Sequence, residues 1–350
     1  MAYYIPLVLQ IKILCYLPVE SLIRFRSVSK EWKSLIDGPD FNSDYIVRQA
    51  QRKRLLLWCE YKNNDWIVVD DDDSFPQHKM NLSHPRFFNR LLNTDRIEFV
   101  DTTQIEFVGS SYGLLCFAGR YLSEDYFNRY VIWNPLIRKS VAIDAPYYED
   151  VFVGFGVCPN TLDPKIVRIN IIHVSRDDVV SYKDIDRVWR VEVFTLSGGV
   201  WRSPLTKLPR KWLKIDLYFE GIGYKTPAVM NGFICCSKGY VYDVWSMDNV
   251  SKFFAKLYSV TLPNMYRHVL GFRDNEQLII VKSNDEREPE FVAYEPNLKH
   301  FNDLGSYVSC SSFTSYTESL LLLNQSGTLN DDDDDDEGDE HTTRFLDHES

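Results

Sequence analysis

Residues 5–46, IPLVLQIKILCYLPVESLIRFRSVSKEWKSLIDGPDFNSDYI, constrain the fold more than any other stretch of this chain. Leu7, Ile11, Leu14 and Leu17 fall at steps of four and three, an apolar stripe with helical period. Pro18 ends that run, because the residue before a proline is pushed out of the helical region. A second run follows at once: Leu22, Phe25, Val28, Trp32, Leu35 and Ile36 repeat the spacing, with Arg24, Arg26, Lys30 and Lys33 on the other surface. Gly38-Pro39 breaks the pattern, and Phe41, Tyr45 and Ile46 predict a final turn packing back. So short a segment cannot bury this many apolar side chains unaided, since domains of this size need a partner or a staple. The surplus predicts a docking surface.

Periodicity alone also fits a plain helical cap on a larger domain. Nucleic-acid binding through the basic face is a further reading. Nine Lys/Arg against five Asp/Glu over residues 1–54 leave a net charge of only +4, a weak electrostatic footprint. No aromatic residues interleave with those bases for stacking, and Trp32 belongs to the apolar stripe.

The full motif decides between them. Ile5-Pro6, Ile13-Leu14, Leu17-Pro18, Ser21-Leu22, Arg24-Phe25, Val28, Lys30, Trp32, Leu35-Ile36, Pro39 and Phe41 together resemble an F-box. The departures lie at the front, where Ile5 replaces a leucine and Val8 and Lys12 replace acidic residues. The resemblance implies a three-helix docking module for the Skp-type adaptor of a cullin-based ubiquitin ligase. It also implies that Pro6, Leu7, Ile11, Leu14, Leu17, Pro18, Leu22, Val28 and Trp32 face or support that adaptor.

Composition bounds the rest. With 21 Tyr, 21 Phe and 8 Trp against 5 Met, the body reads as β-rich, because aromatic and β-branched residues suit pleated sheets. The formal charge of −11 misleads: residues 331–350 carry eleven acids against Arg344, so that tail holds −10 and the body only −1. Six consecutive aspartates, Asp331 to Asp336, predict a disordered tail. The seven cysteines form no Cys-x-x-Cys pair, and Cys15, Cys59, Cys116 and Cys235 sit in apolar runs where a free buried thiol is expected. No run is long enough to span a bilayer, and Gln10 and Lys12 interrupt the first apolar stretch, so neither a membrane span nor a signal peptide is expected. The expected location is the cytoplasm or nucleus.

From residue 55 to 326 the pattern is mainly β and loosely repetitive, after a basic connector at 49–54 and an F-box at 1–48. The recurring unit is an apolar strand with a bulky aromatic, a polar turn and a second strand. Trp133, Phe194, Trp245 and Tyr294 anchor four copies. Units of this size with about four short strands predict a β-propeller-like domain. Gly109-Ser110-Ser111 with Gly113-Leu114, Ile132-Trp133-Asn134-Pro135 with Arg138-Lys139, Gly154-Phe155-Gly156 with Asp163, Val191-Glu192-Val193-Phe194 with Trp201, and Tyr316 with Glu318-Ser319-Leu320 resemble the kelch-like, F-box-associated domain of plant F-box proteins. The last cluster is expected at that family's closing strand. The S-locus F-box receptors have the same architecture.

Catalytic patterns are missing from the sequence. The histidines show no metal-ligand spacing, Asp70 to Asp73 lacks the glycine turn of a calcium loop, and neither a nucleophile elbow nor a phosphate-binding loop occurs. No cofactor is expected. The resemblance therefore implies a non-catalytic receptor that holds a target protein for ubiquitination, with no nucleic-acid or membrane partner. Two alternatives stand beside it: a sugar-binding or enzymatic propeller with a helical cap, and an F-box scaffold outside any ligase. Loops on a rigid scaffold tend to carry recognition, which singles out residues 121–129, 147–150 and 177–186, with Tyr121, Tyr126, Phe127, Tyr147, Tyr148 and Tyr182 as candidate target contacts.

Overall fold

The computed structural model describes residues 5–59, 65–72, 79–82, 105–121, 127–146, 151–174, 186–203, 228–230, 233–238, 241–247, 254–263, 266–273, 277–284, 287–306, 312–325 and 329–330. Four helices open the chain: α1 (Leu7–Leu14), α2 (Val19–Phe25), α3 (Lys30–Ile36) and α4 (Pro39–Gln49). The three-helix expectation is corrected in two places. The run from Leu22 to Ile36 is two helices, because Ser29 leaves helical geometry and its side chain accepts from the Trp32 N–H, capping α3. Pro39, which breaks the preceding pattern, also starts α4 from its first position, where a missing N–H costs nothing.

Among the described residues, everything from Arg54 onward is antiparallel strand, turn or irregular connection. The described strands form five sheets. Sheet 1 contains Arg54–Cys59, Asp65–Asp70 and Lys79–Leu82, with Ser312–Ser315 added on the inner edge. Sheet 2 runs through Ile105–Ser111, Leu114–Tyr121, Phe127–Asn134 and Lys139–Pro146, with Leu329–Asn330 on its outer edge. Sheet 3 holds Val151–Val157, Pro164–Val174, Asp186–Thr195 and Val200–Arg202. Sheet 4 holds Ala228–Met230, Phe233–Lys238, Val241–Met247 and Phe254–Thr261. Sheet 5 holds Tyr266–Phe272, Leu278–Asn284, Arg287–Glu295 and His300–Ser306. Sheets 3, 4 and 5 are four-stranded meanders in sequence order; sheet 2 is such a meander with Leu329–Asn330 as a fifth strand, and sheet 1 takes its inner strand from near the far end of the chain. Leu55 pairs with Ser315 and Leu57 with Phe313. This is β-propeller-like architecture, with the first strand, Arg54–Cys59, and the late strand Ser312–Ser315 sharing one sheet.

The aromatic anchors fall at equivalent places. Trp133, Phe194, Trp245 and Tyr294 all lie on the third strand of their sheets, and Trp133, Phe194 and Tyr294 are buried. The glycine–serine motif joins inner strands of three sheets. Ser110 Oγ donates to the Ser315 carbonyl at 2.8 Å, and Ser111 Oγ accepts from the Val157 N–H at 3.0 Å. Asp163 receives both the N–H and the hydroxyl of Ser197, at 2.9 and 2.8 Å, which ties together two turns of sheet 3. Arg168 and Glu192 bury an ion pair in that sheet, with the Arg168 guanidinium 4.4 Å over the Trp201 ring. Two expectations from the sequence differ in the structure. Leu329–Asn330 pairs with Ser140 and Lys139, so described strand reaches into the segment read as tail. Tyr316 with Glu318-Ser319-Leu320 follows the closing strand rather than forming it.

Candidate partner-docking surface

Helix α1 is apolar on two sides, with Gln10 and Lys12 as its polar residues. Its inner face packs into the helical core, where Leu14 and Cys15 join Val19, Leu22, Ile36, Phe41 and Tyr45. Opposite, Leu9, Ile13 and Tyr16 stand out at 49%, 53% and 53% exposure, flanked by Val8 at 64%. Leu9 and Ile13 stand one turn apart on α1, and Tyr16 continues their line in the turn just after the helix. A helix that carries apolar side chains on its solvent side as well as its core side offers that outer side to a partner. These side chains are about half covered already, and Arg48 lies 3.8 Å over the Tyr16 ring, so completing their burial is worth about 1 kcal/mol each.

The expected contact residues separate by burial. Pro6, Leu7, Pro18 and Val28 are exposed, and Ile11, Leu17 and Trp32 are half-buried. Leu14 and Leu22 are buried at 2% and 0% within the helical core. Trp32 braces α1 from α3: its Nε1–H donates to Gln10 Oε1 at 3.1 Å, and its ring meets Phe25 edge-on at 5.2 Å. The exposed Val8, Leu9, Ile13 and Tyr16 lie outside the set expected from the sequence, which on this helix comprises Leu7, Ile11 and Leu14. The signal was present: with one stripe turned inward, the remaining Val, Leu, Ile and Tyr could only face out.

The helices are not closed on themselves. Leu320 and Leu323, from beyond the closing strand, complete their core. Beneath them the Tyr45 hydroxyl lies 3.1 Å from the Leu17 carbonyl and 3.1 Å from a Glu318 carboxylate oxygen. The other Glu318 oxygen receives Arg54 Nη1. Burial, then the Glu318 charge, push the Tyr45 hydroxyl well above its usual pKa, and the same two causes act on Tyr316. Burial followed by the Asp44 charge raises the Cys15 thiol.

Chain direction fixes what lies at the other end of the β domain. Arg54, Ser315, the 112–113 turn and the 135–138 turn adjoin the helices. In antiparallel meanders the alternate ends then face away. Those are Cys59 with Asp65, Tyr121 with Phe127, Pro146 and Val151, and Val174 with Asp186. Tyr121 and Phe127 thus pair at the far end of sheet 2. Tyr126, Tyr147, Tyr148 and Tyr182 lie outside the described residues. Among the described residues no group of His, Cys, Asp or Glu could hold a metal ion, and no helix is long and apolar enough to cross a membrane.

Comparison with known proteins agrees with the helical module. Residues 4–44 match the F-box domain family. The chain is 33% identical over 166 residues to a putative F-box protein of Arabidopsis thaliana, covering 46% of this chain and 39% of that relative. It is 31% identical over 156 residues to an F-box protein of the same plant, covering 43% and 35%. A third, also from Arabidopsis thaliana, is 27% identical over 228 residues, covering 64% and 47%. The chain therefore spans less than half the length of each of these relatives. Among solved structures, TolB from Acinetobacter baumannii covers 79% of this chain and 61% of its own at 8% identity and a TM-score of 0.35. A putative 6-phosphogluconolactonase from Bacteroides fragilis covers 75% and 98% at 8% identity and a TM-score of 0.28. At such scores the likeness is too slight to bear on function.

Proposed function

We propose that this chain, a plant-type F-box protein whose F-box lies at residues 4–44, is a substrate-recognition subunit of a cullin-based ubiquitin ligase. The outward face of α1 docks on a Skp-type adaptor and, through it, on a cullin. The far end of the β domain holds a target protein for ubiquitination and degradation. The division in this reading is F-box at 1–48, connector at 49–54, β domain at 55–326 and acidic tail at 327–350, working in the cytoplasm or nucleus.

The observation that carries it is the exposed Leu9, Ile13 and Tyr16 stripe within the matched domain. Such a surface fits a permanent protein partner better than solvent. A receptor of this kind needs no acid, base or cofactor of its own. Holding a target near a charged conjugating enzyme raises its effective concentration, and the chemistry is done elsewhere. The strand ends at or beside 121–129, 147–150 and 177–186 support target capture through those segments at the face away from the helices.

The test replaces those three segments with Gly/Ser sequences of equal length in the full chain. The replaced chain should still bind adaptor and lose the proteins that wild type captures and that accumulate when the proteasome is blocked. Undiminished capture, or catalytic turnover by the chain itself, would overturn the reading.

A further inference from the structure

Residues 316–325 take part in every body of the molecule they pass. Tyr316 is buried between sheets 1 and 2, and its N–H donates to the Arg54 carbonyl at 2.9 Å. The Thr317 carbonyl passes so close to Gly113 that a Cβ there would stand 2.5 Å from its oxygen, and Gly113 also has a φ of 74°. Only glycine accommodates both demands. Glu318, 5% exposed, joins Arg54 at the start of the β domain to Tyr45 in α4. Asn134, fully buried, donates to the carbonyls of Ser319 and Leu321 at 3.0 and 2.9 Å.

The side chains then divide. Leu320 and Leu323 enter the core of the F-box helices, while Leu321 and Leu322 enter the core of sheets 2 and 3. Asn324 donates to the Asp37 carbonyl after α3 at 2.9 Å, and Lys139 donates to the Leu323 carbonyl at 3.0 Å. Leu322 holds a φ of 74°, a left-handed conformation that a leucine keeps only where its surroundings dictate it. Direct covalent connection between helices and sheets is the short 50–53 link alone.

We propose that residues 316–325 are a clasp that sets the bearing of the F-box helices on the β domain, with Glu318 and Asn134 as its positioning residues. The clasp itself stands on geometry. Its consequence for ubiquitin transfer rests on the proposed function: the clasp holds adaptor and target at a fixed separation, which is what proximity catalysis requires. A simple linker would let the two ends wander.

The experiment is amide hydrogen exchange on the full chain, followed by self-ubiquitination in a reconstituted ligase. Glu318→Ala with Asn134→Ala should speed exchange at least tenfold in peptides from 30–50 and 316–325 and leave 127–133 and 287–306 unchanged. Glu318→Gln, which keeps an oxygen for Tyr45, should restore part of the protection. With adaptor bound at wild-type affinity, the double variant should spread ubiquitin over more lysines than wild type. Unchanged exchange in the helices, or an equal loss in every sheet, overturns the clasp. Should the double variant fail to fold, Tyr45→Phe must still show faster exchange in 39–50, and no change there overturns it. Failure of adaptor binding in wild type would sink the ligase reading while leaving the exchange result intact.

Discussion

Tyr45 and Tyr316 report on the junction more sharply than any other residues, because both are buried beside the Glu318 carboxylate. Both hydroxyls are pushed above their usual value of 10, so the folded chain keeps protons that the unfolded chain releases. Their contribution to stability is complete below pH 10 and is lost as pH rises beyond it, at about 1.4 kcal/mol per pH unit for each. Tyr316 has no hydrogen-bond partner for its hydroxyl among the described residues. Tyr316→Phe should therefore cost under about 1 kcal/mol at pH 7 and flatten the alkaline fall in stability above pH 10, read by urea melts across pH 8–11.5. An unchanged slope would place that hydroxyl in water. None of this was legible in the sequence. Tyr316 and Glu318 were visible as a motif, but a contact spanning 273 residues, such as Tyr45 with Glu318, leaves no local pattern. Asn134 was likewise visible beside Pro135 without any sign that it binds backbone 185 residues away.

At the scale of elements, helical period located α1 and the β units but not which side of α1 faced in. Two apolar stripes on one helix look alike until the rest of the core is placed. Leu14 and Leu9 now make opposite predictions. Leu14→Ala opens a hole beneath α1 and should destabilise the helical domain by about 2–4 kcal/mol, seen as earlier loss of helical circular dichroism. Leu9→Asp with Ile13→Asp lies on the exposed stripe and should leave that melt within about 1 kcal/mol of wild type. The third-strand aromatics were the most legible elements, since Trp133, Phe194, Trp245 and Tyr294 occupy equivalent strands despite unequal connections. The split between α2 and α3 was not, because the polar Ser29 cap sits inside an uninterrupted apolar rhythm.

The whole molecule depends on strands from its two ends meeting. Phe313 is buried on the closing strand opposite Leu57, and Gly271 lets that strand approach sheet 5, with a would-be Cβ 3.0 Å from the Phe313 ring and carbonyl. Phe313→Ala should cost about 3–4 kcal/mol and lower the melt of the β domain; a loss below 1 kcal/mol would mean that closure is not what holds sheets 1 and 5 together. The repeat pattern made the β domain legible, whereas closure from residue 55 to residue 315 had to be seen, because pairing across that distance carries no period. The helical domain was legible as an F-box. That it borrows Leu320 and Leu323 was not, since both sit in a leucine run that reads locally as strand. The measurement that tests the central claim most directly is a calorimetric titration of a purified Skp-type adaptor into the full chain and into its Leu9→Asp/Ile13→Asp variant. Binding by wild type, weakened at least 100-fold in a variant that melts normally, is the predicted result. Equal affinity for both chains, or no binding by the folded wild type, would contradict it.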